Sequence, residues 1–275
     1  MITEFISYIK NVKGYSDNTA RAYNNDLRAF VKVVKTINPS SRWSTLTLQD
    51  IDEVVKYNVQ RGLKPATTNR QISAVKALYD YMKREGMIDH NPARYESRRK
   101  QAETIPNTIP MHDLEEAYSE ATGTTRIMLG ILIYTGIRIQ ELLDIRKHDV
   151  NTKTGEIIIR GKGQKERKVI TAPDNSQELE EYMKNLRPDS FIFGGTSQRE
   201  ARYELHAILK RHSQAKQLSP HAIRHTFATE VAKQGSNVTT LAKMMGHNSI
   251  KTTQQYIDLT QNNIEKTYQQ YHTIF

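Results

Sequence analysis

Apolar residues recur every three or four positions through most of the first hundred residues, the period of helices that bury one face. Across Asp17–Ile37, the residues Ala20, Tyr23, Leu27, Phe30, Val31 and Val34 share one side, with Ser16 in the N-cap position and Thr19 three residues on. A second helix is predicted over Leu48–Gln60, stopped at Gly62. A third follows Lys64-Pro65 on Ile72, Val75, Leu78, Tyr79 and Met82, and closes at Gly86. Asn91-Pro92 then breaks regular structure. Residues 95–106 are poor in apolar side chains, carry Arg98, Arg99 and Lys100, and read as a linker.

Beyond the linker the period changes. Helical spacing covers Met111–Glu120, 125–134 and 138–145. The run Glu156-Ile157-Ile158-Ile159-Arg160 then passes through Gly161-Lys162-Gly163-Gln164 to Arg167-Lys168-Val169-Ile170, a β-hairpin with a glycine-containing turn. Helices return at 175–185, Gln198–His212, Pro220–Lys233, Val238–Met245, 252–259 and 261–271. The chain is therefore expected to be mainly α with a small β-hairpin, in two domains, 1–95 and 108–275, joined by a basic linker at 96–107. Its 275 residues suit that count.

Composition adds two exclusions and one lead. No cysteine is present, which removes disulfides, thiolate nucleophiles and cysteine-ligated metal sites. No apolar run reaches 18 residues, and 1–10 lack the basic start and long apolar stretch of a secretory signal, so a cytoplasmic protein without membrane contact is expected. The net charge is +10, and residues 1–100 hold 18 Lys and Arg against 10 Asp and Glu, while the rest hold 22 against 20. A basic first third suits a nucleic-acid grip, because Lys and Arg release counterions from phosphates.

Reactive side chains concentrate in four segments: Thr135-Gly136-Ile137-Arg138 with Glu141, the turn at Lys162, Ser219-Pro220-His221-Ala222-Ile223-Arg224-His225, and Gly246-His247 followed by Tyr256. Taken singly, each is ordinary: a cap, a solvated arginine, a turn lysine. Together they suggest a phosphate site. Arg138 and Arg224 offer planar forks for non-bridging oxygens, His247 a third donor, and Lys162 a proton for a leaving oxygen. No metal-ligand spacing or Walker loop is present, so the expected nucleophile is a side chain, and Tyr256 fits if cations favour its phenolate.

These segments, in this order and spacing, resemble the tyrosine recombinases, or phage-type integrases. Thr135-Gly136-Ile137-Arg138-Ile139-Gln140-Glu141 is similar to the first arginine motif, Gly161-Lys162-Gly163 to the lysine hairpin, His221-Ala222-Ile223-Arg224 to the H-x-x-R box, and His247 through Tyr256 to the histidine-to-tyrosine segment. The resemblance implies a helical, SAM-like core-binding domain plus an α+β catalytic domain that cuts and rejoins duplex DNA at a specific site, without cofactor or metal. Tyr256 would form a 3′-phosphotyrosyl link, Arg138, Arg224 and His247 would hold the phosphate, His221 would assist proton transfer, Lys162 would protonate the departing 5′ oxygen, and Glu141 would be a buttress.

The first domain resembles the family's DNA clamp through Tyr15-Ser16-Asp17-Asn18-Thr19 and Ala66-Thr67-Thr68-Asn69-Arg70, which makes Lys64, Thr68 and Arg70 the expected DNA contacts. Residues 264–268 would dock on a neighbouring protomer. The implied assembly is a monomer in free solution and a homo-tetramer on two DNA sites, working through a Holliday junction. Glu230 departs from the histidine common in relatives, without touching the phosphate set. A chain without an arm-binding domain before the core-binding helices is expected, and the size and C-terminal pattern look more like small Xer-type enzymes, with dimer resolution, mobile-element integration and inversion all open. A type IB topoisomerase or a non-catalytic DNA-binding accessory protein are the alternatives.

Overall fold

In the computed structural model, residues 1–94, 99, 106–161, 166–247 and 249–260 are described. The chain divides into two compact units, Met1–Glu103 and Thr104–Phe275.

The first unit is built on helices α1 (Ile2–Asn11), α2 (Asp17–Ile37), α3 (Leu48–Gln60) and α4 (Pro65–Arg84). Local chemistry sets their starts. The Ser16 hydroxyl accepts from the Thr19 backbone N–H, Thr47 and Asp50 form a reciprocal capping box, and Pro65 occupies the first turn of α4, where no N–H is needed. No helix is delimited ahead of Asp17 by the sequence pattern, yet α1 forms there because Ile2, Phe5, Ile6 and Ile9 follow helical spacing and Phe5 and Ile9 are buried. The core joins Leu27 and Phe30 of α2 to Ile51 and Val54 of α3 and Val75, Leu78 and Tyr79 of α4. Trp43 stacks on Phe30, and the Tyr79 hydroxyl donates to the Trp43 carbonyl at 3.0 Å.

The second unit contains α5 (Met111–Glu120), α6 (Gly123–Thr135), α7 (Ile139–Leu143), a three-stranded antiparallel sheet of β1 (Val150–Asn151), β2 (Glu156–Arg160) and β3 (Glu166–Ile170), then α8 (Pro173–Met183), α9 (Gln198–His212), α10 (Pro220–Lys233), α11 (Val238–Met245) and α12 (Lys251–Thr260). The expected hairpin is present, with Ile157 opposite Val169 and Arg160 opposite Glu166, and β1 adds a short third strand. Helix α6 is apolar nearly all round, with Ile127 through Ile133 buried, and lies inside the larger core with Leu142, Ile157 and Leu205. A smaller core forms where Ala228 and Ala232 of α10, Leu241 and Met245 of α11, and Tyr256 of α12 meet. The helix expected at 138–145 is only five residues long, because Arg138 is its N-cap and Asp144 already closes it. The helix expected at 261–271 lies outside the described residues. Among the described residues, no helix is long and apolar enough to cross a membrane.

Candidate active site

Two tight helix ends deliver the site. Helix α6 stops at Gly136, whose φ of +61° is the left-handed conformation glycine tolerates, and a Cβ there would lie 2.3 Å from the Phe227 ring. Two residues later Arg138 caps α7. Its backbone N–H donates to Glu141 Oε2 at 2.9 Å and its Nη1 to Oε1 at 2.9 Å, so a short capping box also aims the guanidinium. Helix α11 stops at Gly246, φ +61°, and the next residue is His247.

Arg224 comes from the first turns of α10, where Ser219 caps and Pro220 pre-sets the backbone. Its side chain is buried, with Nη1 donating to the Gly136 carbonyl at 2.7 Å and Nη2 to the Met245 carbonyl at 2.5 Å. It therefore ties the two helix ends together. Burial and, after it, the Arg138 charge bring its pKa down to about 10, which leaves it a cation at neutral pH. Glu141 answers the cations. Burial alone would push its carboxyl up, but the Arg167 hydrogen bonds, the Arg138 backbone N–H and both guanidinium charges outweigh it and hold the carboxyl below its ordinary range.

The histidines are neutral in this field. Half-buried His247, held through Nδ1 to the Thr253 hydroxyl at 2.7 Å, is pushed down to about 4 by burial, then by Arg224, Arg138 and Arg167. His225 is also pushed down to about 4, by burial, then His221 and Arg224. His221 is lowered by burial and the same two arginines, Arg224 and Arg138. Tyr256 is 2% exposed, and its hydroxyl lies 2.6 Å from His225 Nδ1. Burial raises its pKa, while Arg224 and the Gln255 side chain pull the other way.

Of the residues expected from the sequence, Arg138, Glu141, His221, Arg224, His247 and Tyr256 thus converge in the second unit. Lys162 lies outside the described residues; Arg160 of β2 and Glu166 and Arg167 of β3 line an open cleft of about 1170 Å³ together with Arg138, Glu141, Lys243 and His247. Two participants were not expected. His225, and not His221, touches the tyrosine hydroxyl; the two imidazoles are one helical turn apart and meet edge-to-face at 4.3 Å. Arg167 grips Glu141 from β3 with both Nη atoms, at 3.1 and 2.8 Å.

The expected DNA contacts of the first unit divide. Lys64 is exposed at the start of α4. Arg70 is 63% exposed on its side chain, with its fork on buried Asp26 at 2.7 and 2.9 Å. Thr68 is corrected: it is 1% exposed, inside the core, so it cannot meet a duplex in this conformation. Its position four residues before Ile72 puts it on the helix face that packs inward. Among the described residues, no three His, Asp or Glu side chains converge as metal ligands would.

The neutral imidazoles predict acid sensitivity. For His225 and His247, the folded-state pKa of about 4 lies below the ordinary 6.5, so the folded protein binds fewer protons than the unfolded chain below pH 6.5. The stability they contribute is whole above pH 6.5 and drains away as pH falls toward 4. Both side chains are only half-buried, so solvent screens part of the effect, and we expect the pair to cost about 2 kcal/mol between pH 7.5 and 5. Urea midpoints at those two pH values would measure it; equal midpoints would refute it.

Two family models match this chain. The one described as the phage integrase family matches residues 101–263, and the one described as the phage integrase N-terminal SAM-like domain matches residues 2–86. The tyrosine recombinase XerD of Listeria innocua serovar 6a is 29% identical, over 99% of this chain and 98% of that protein. The tyrosine recombinase XerC of Listeria welshimeri serovar 6b is 28% identical, over 98% and 96%. Among solved structures, the XerH site-specific recombinase bound to palindromic difH substrate shares the fold with a TM-score of 0.75 at 18% identity, covering 99% of this chain and 85% of that one. A lambda integrase dimer bound to a COC′ core site shares it with a TM-score of 0.70 at 15% identity, covering 91% and 95%.

Proposed function

The chain belongs to the phage integrase family, the tyrosine recombinases, and from that premise we propose that Tyr256 is the nucleophile with which it cuts DNA. The protein is a site-specific DNA recombinase, an enzyme that transfers DNA strands. The observation that carries the residue assignment is the pairing of the Tyr256 hydroxyl with the neutral His225 imidazole, with the charge of buried Arg224 acting on both.

Tyr256 and Arg224 are each 2% exposed, so DNA binding must first open the site around them. In the proposed step, the Tyr256 oxygen then bonds to the scissile phosphorus and the bond to the 5′ oxygen breaks. The phenolic proton goes to His225, in the tautomer that carries its own proton on Nε2. The leaving 5′ oxygen takes a proton from Lys162. Arg138 and Arg224 hold the non-bridging oxygens as charge builds on them, which is the electrostatic task that contributes most in such sites. His247 supplies a further hydrogen bond, and His221 tunes the proton transfer through its contact with His225. The 3′-phosphotyrosyl bond keeps the energy of the broken phosphodiester, so a 5′-hydroxyl from another strand reverses the step without any cofactor. Four protomers on two DNA sites would do this twice, through a Holliday junction, in the cytoplasm, for dimer resolution or for integration and excision of a mobile element. The first unit, 1–95, would clamp the duplex through Lys64, Arg70 and the basic linker at 96–107, while 108–275 does the chemistry.

A phosphate arriving in this cleft offsets the charge of the crowding cations, so His247 should take up a proton and the affinity for DNA should rise as pH falls from 8 to 6.5. The decisive experiment first selects the protein's preferred duplex from a randomised library, then nicks it one or two bases from the cleavage point. The full-length protein should stay attached to this suicide duplex after denaturation, with the DNA on the peptide that contains Tyr256. Relaxation of plasmids lacking the site, without exchange between two copies of it, would favour a topoisomerase instead.

A further inference from the structure

Three arginines from three different elements meet at one turn. The last carbonyls of a helix have no donor within it. At the end of α11 they are taken in succession: the Met244 carbonyl accepts from Arg167 Nε at 3.0 Å, Met245 from Arg224 Nη2 at 2.5 Å, and Gly246 from Arg138 Nη2 at 3.3 Å. His247 is the next residue along. Arg138 and Arg224 have a proposed role on the phosphate. Arg167 has none, and its side chain is 14% exposed.

All three nitrogens of the Arg167 guanidinium are committed inside the protein: Nη1 and Nη2 to the two carboxylate oxygens of Glu141, Nε to Met244. Glu141 in turn grips both the backbone and the guanidinium of Arg138. Gly246 packs so closely on Arg167 that a Cβ would fall 2.7 Å from Nη1 and 2.9 Å from Cζ. A rigid fork of this kind fixes angles that a single ammonium cannot.

We propose that Arg167 is a positioning residue of the recombination site, a clamp that locks Glu141 to the end of α11 so that Arg138 and His247 face the same phosphate. It also roots the start of β3, which begins at Glu166, on that clamp. The inference rests on the cleft being the phosphate site. Its positive charge contributes to keeping His247 neutral in the free enzyme, after burial, Arg224 and Arg138.

The test compares the full-length protein with Arg167→Lys and Arg167→Gln on the nicked suicide duplex, alongside NMR titration of His247 without DNA. Duplex affinity should stay within about 3-fold, because phosphate contacts elsewhere set it. The single-turnover rate of adduct formation should drop about 30- to 100-fold in both variants, the usual loss when an orienting partner is removed. His247 should titrate at higher pH in Arg167→Gln and close to its original pH in Arg167→Lys, which keeps the charge without the fork. Cleavage within about 3-fold of the parent in either variant would overturn the proposal, as would a rate loss matched by an equal loss of affinity or of folded protein. If the unmodified protein forms no adduct, the reading of the cleft fails. The clamp is then judged by the backbone amide shifts of Gly246 and His247 in the same NMR spectra, and shifts unmoved in both variants overturn it.

Discussion

Tyr256→Phe is expected to bind the selected duplex within about 3-fold of the parent and to form no denaturation-resistant adduct, a rate loss of at least about 10⁴. The change removes one oxygen. The ring it leaves behind is the one already packed against Ala228, Ala232, Leu241 and Met245, so the small core between α10, α11 and α12 keeps its volume. What is lost is the 2.6 Å contact with His225, and a half-buried neutral imidazole left without that partner costs about 1 kcal/mol. The variant should therefore melt within a few degrees of the parent, and inactivity could not be blamed on unfolding. Phosphate affinity should survive because Arg138, Arg224 and His247 hold their places through Glu141, the helix-end carbonyls and Thr253, none of which involves the tyrosine hydroxyl. A gel of the suicide reaction with a melting curve beside it decides the matter. Any adduct formed at a measurable rate by this variant would mean that another side chain attacks.

Much of this geometry was legible because short-range chemistry and long-range position coincide at helix ends. The bounds of α9, α10 and α11 follow from Ser197, Ser219-Pro220 and Asn237 as caps and from Gly246 as the left-handed stop. Arg138 and His247 sit within two residues of such an end and Arg224 is the fifth residue of α10, so a motif read along the chain already carries their spatial relation. Arg167 sits in a five-residue strand with charge on both sides of it, Glu166 and Lys168, and period-two alternation does not say which face meets a helix end contributed 77 residues later. His225 shares a helix face with His221, and sequence spacing alone gives no reason to prefer one over the other. Which of them meets the tyrosine depends on where α12 packs, and the ten residues of α12 carry no signal for that. Thr68 is a different case. Its register with Ile72 and Val75 marks the buried face, and that period outweighs the resemblance of the surrounding segment to a groove-facing helix start.

His225→Gln is expected to slow adduct formation about 100-fold while leaving duplex affinity near that of the parent, the scale of a lost general base. Glutamine reaches a similar distance and can still hydrogen-bond the Tyr256 hydroxyl, but it cannot take the proton, so the substitution separates holding the hydroxyl from deprotonating it. The pH dependence follows from the same contact. His225 serves as acceptor only when neutral, and in the free protein it stays neutral down to about pH 4 because burial, His221 and Arg224 all disfavour its charged form. A bound phosphodiester cancels part of that repulsion and moves the imidazole back toward its ordinary 6.5. The parent's single-turnover rate should therefore decline on the acid side, between pH 6.5 and 5, and the decline should be absent or much weaker in His225→Gln. Arg167 is too far along the chain of contacts to imitate this result, since its loss is expected to lower the rate at every pH. An undiminished acid limb in the variant would show that another group accepts the proton. A variant faster than the parent would show that the 2.6 Å hydrogen bond restrains the hydroxyl in the resting enzyme and must break before attack, and the base would then have to be sought in His221 or in water.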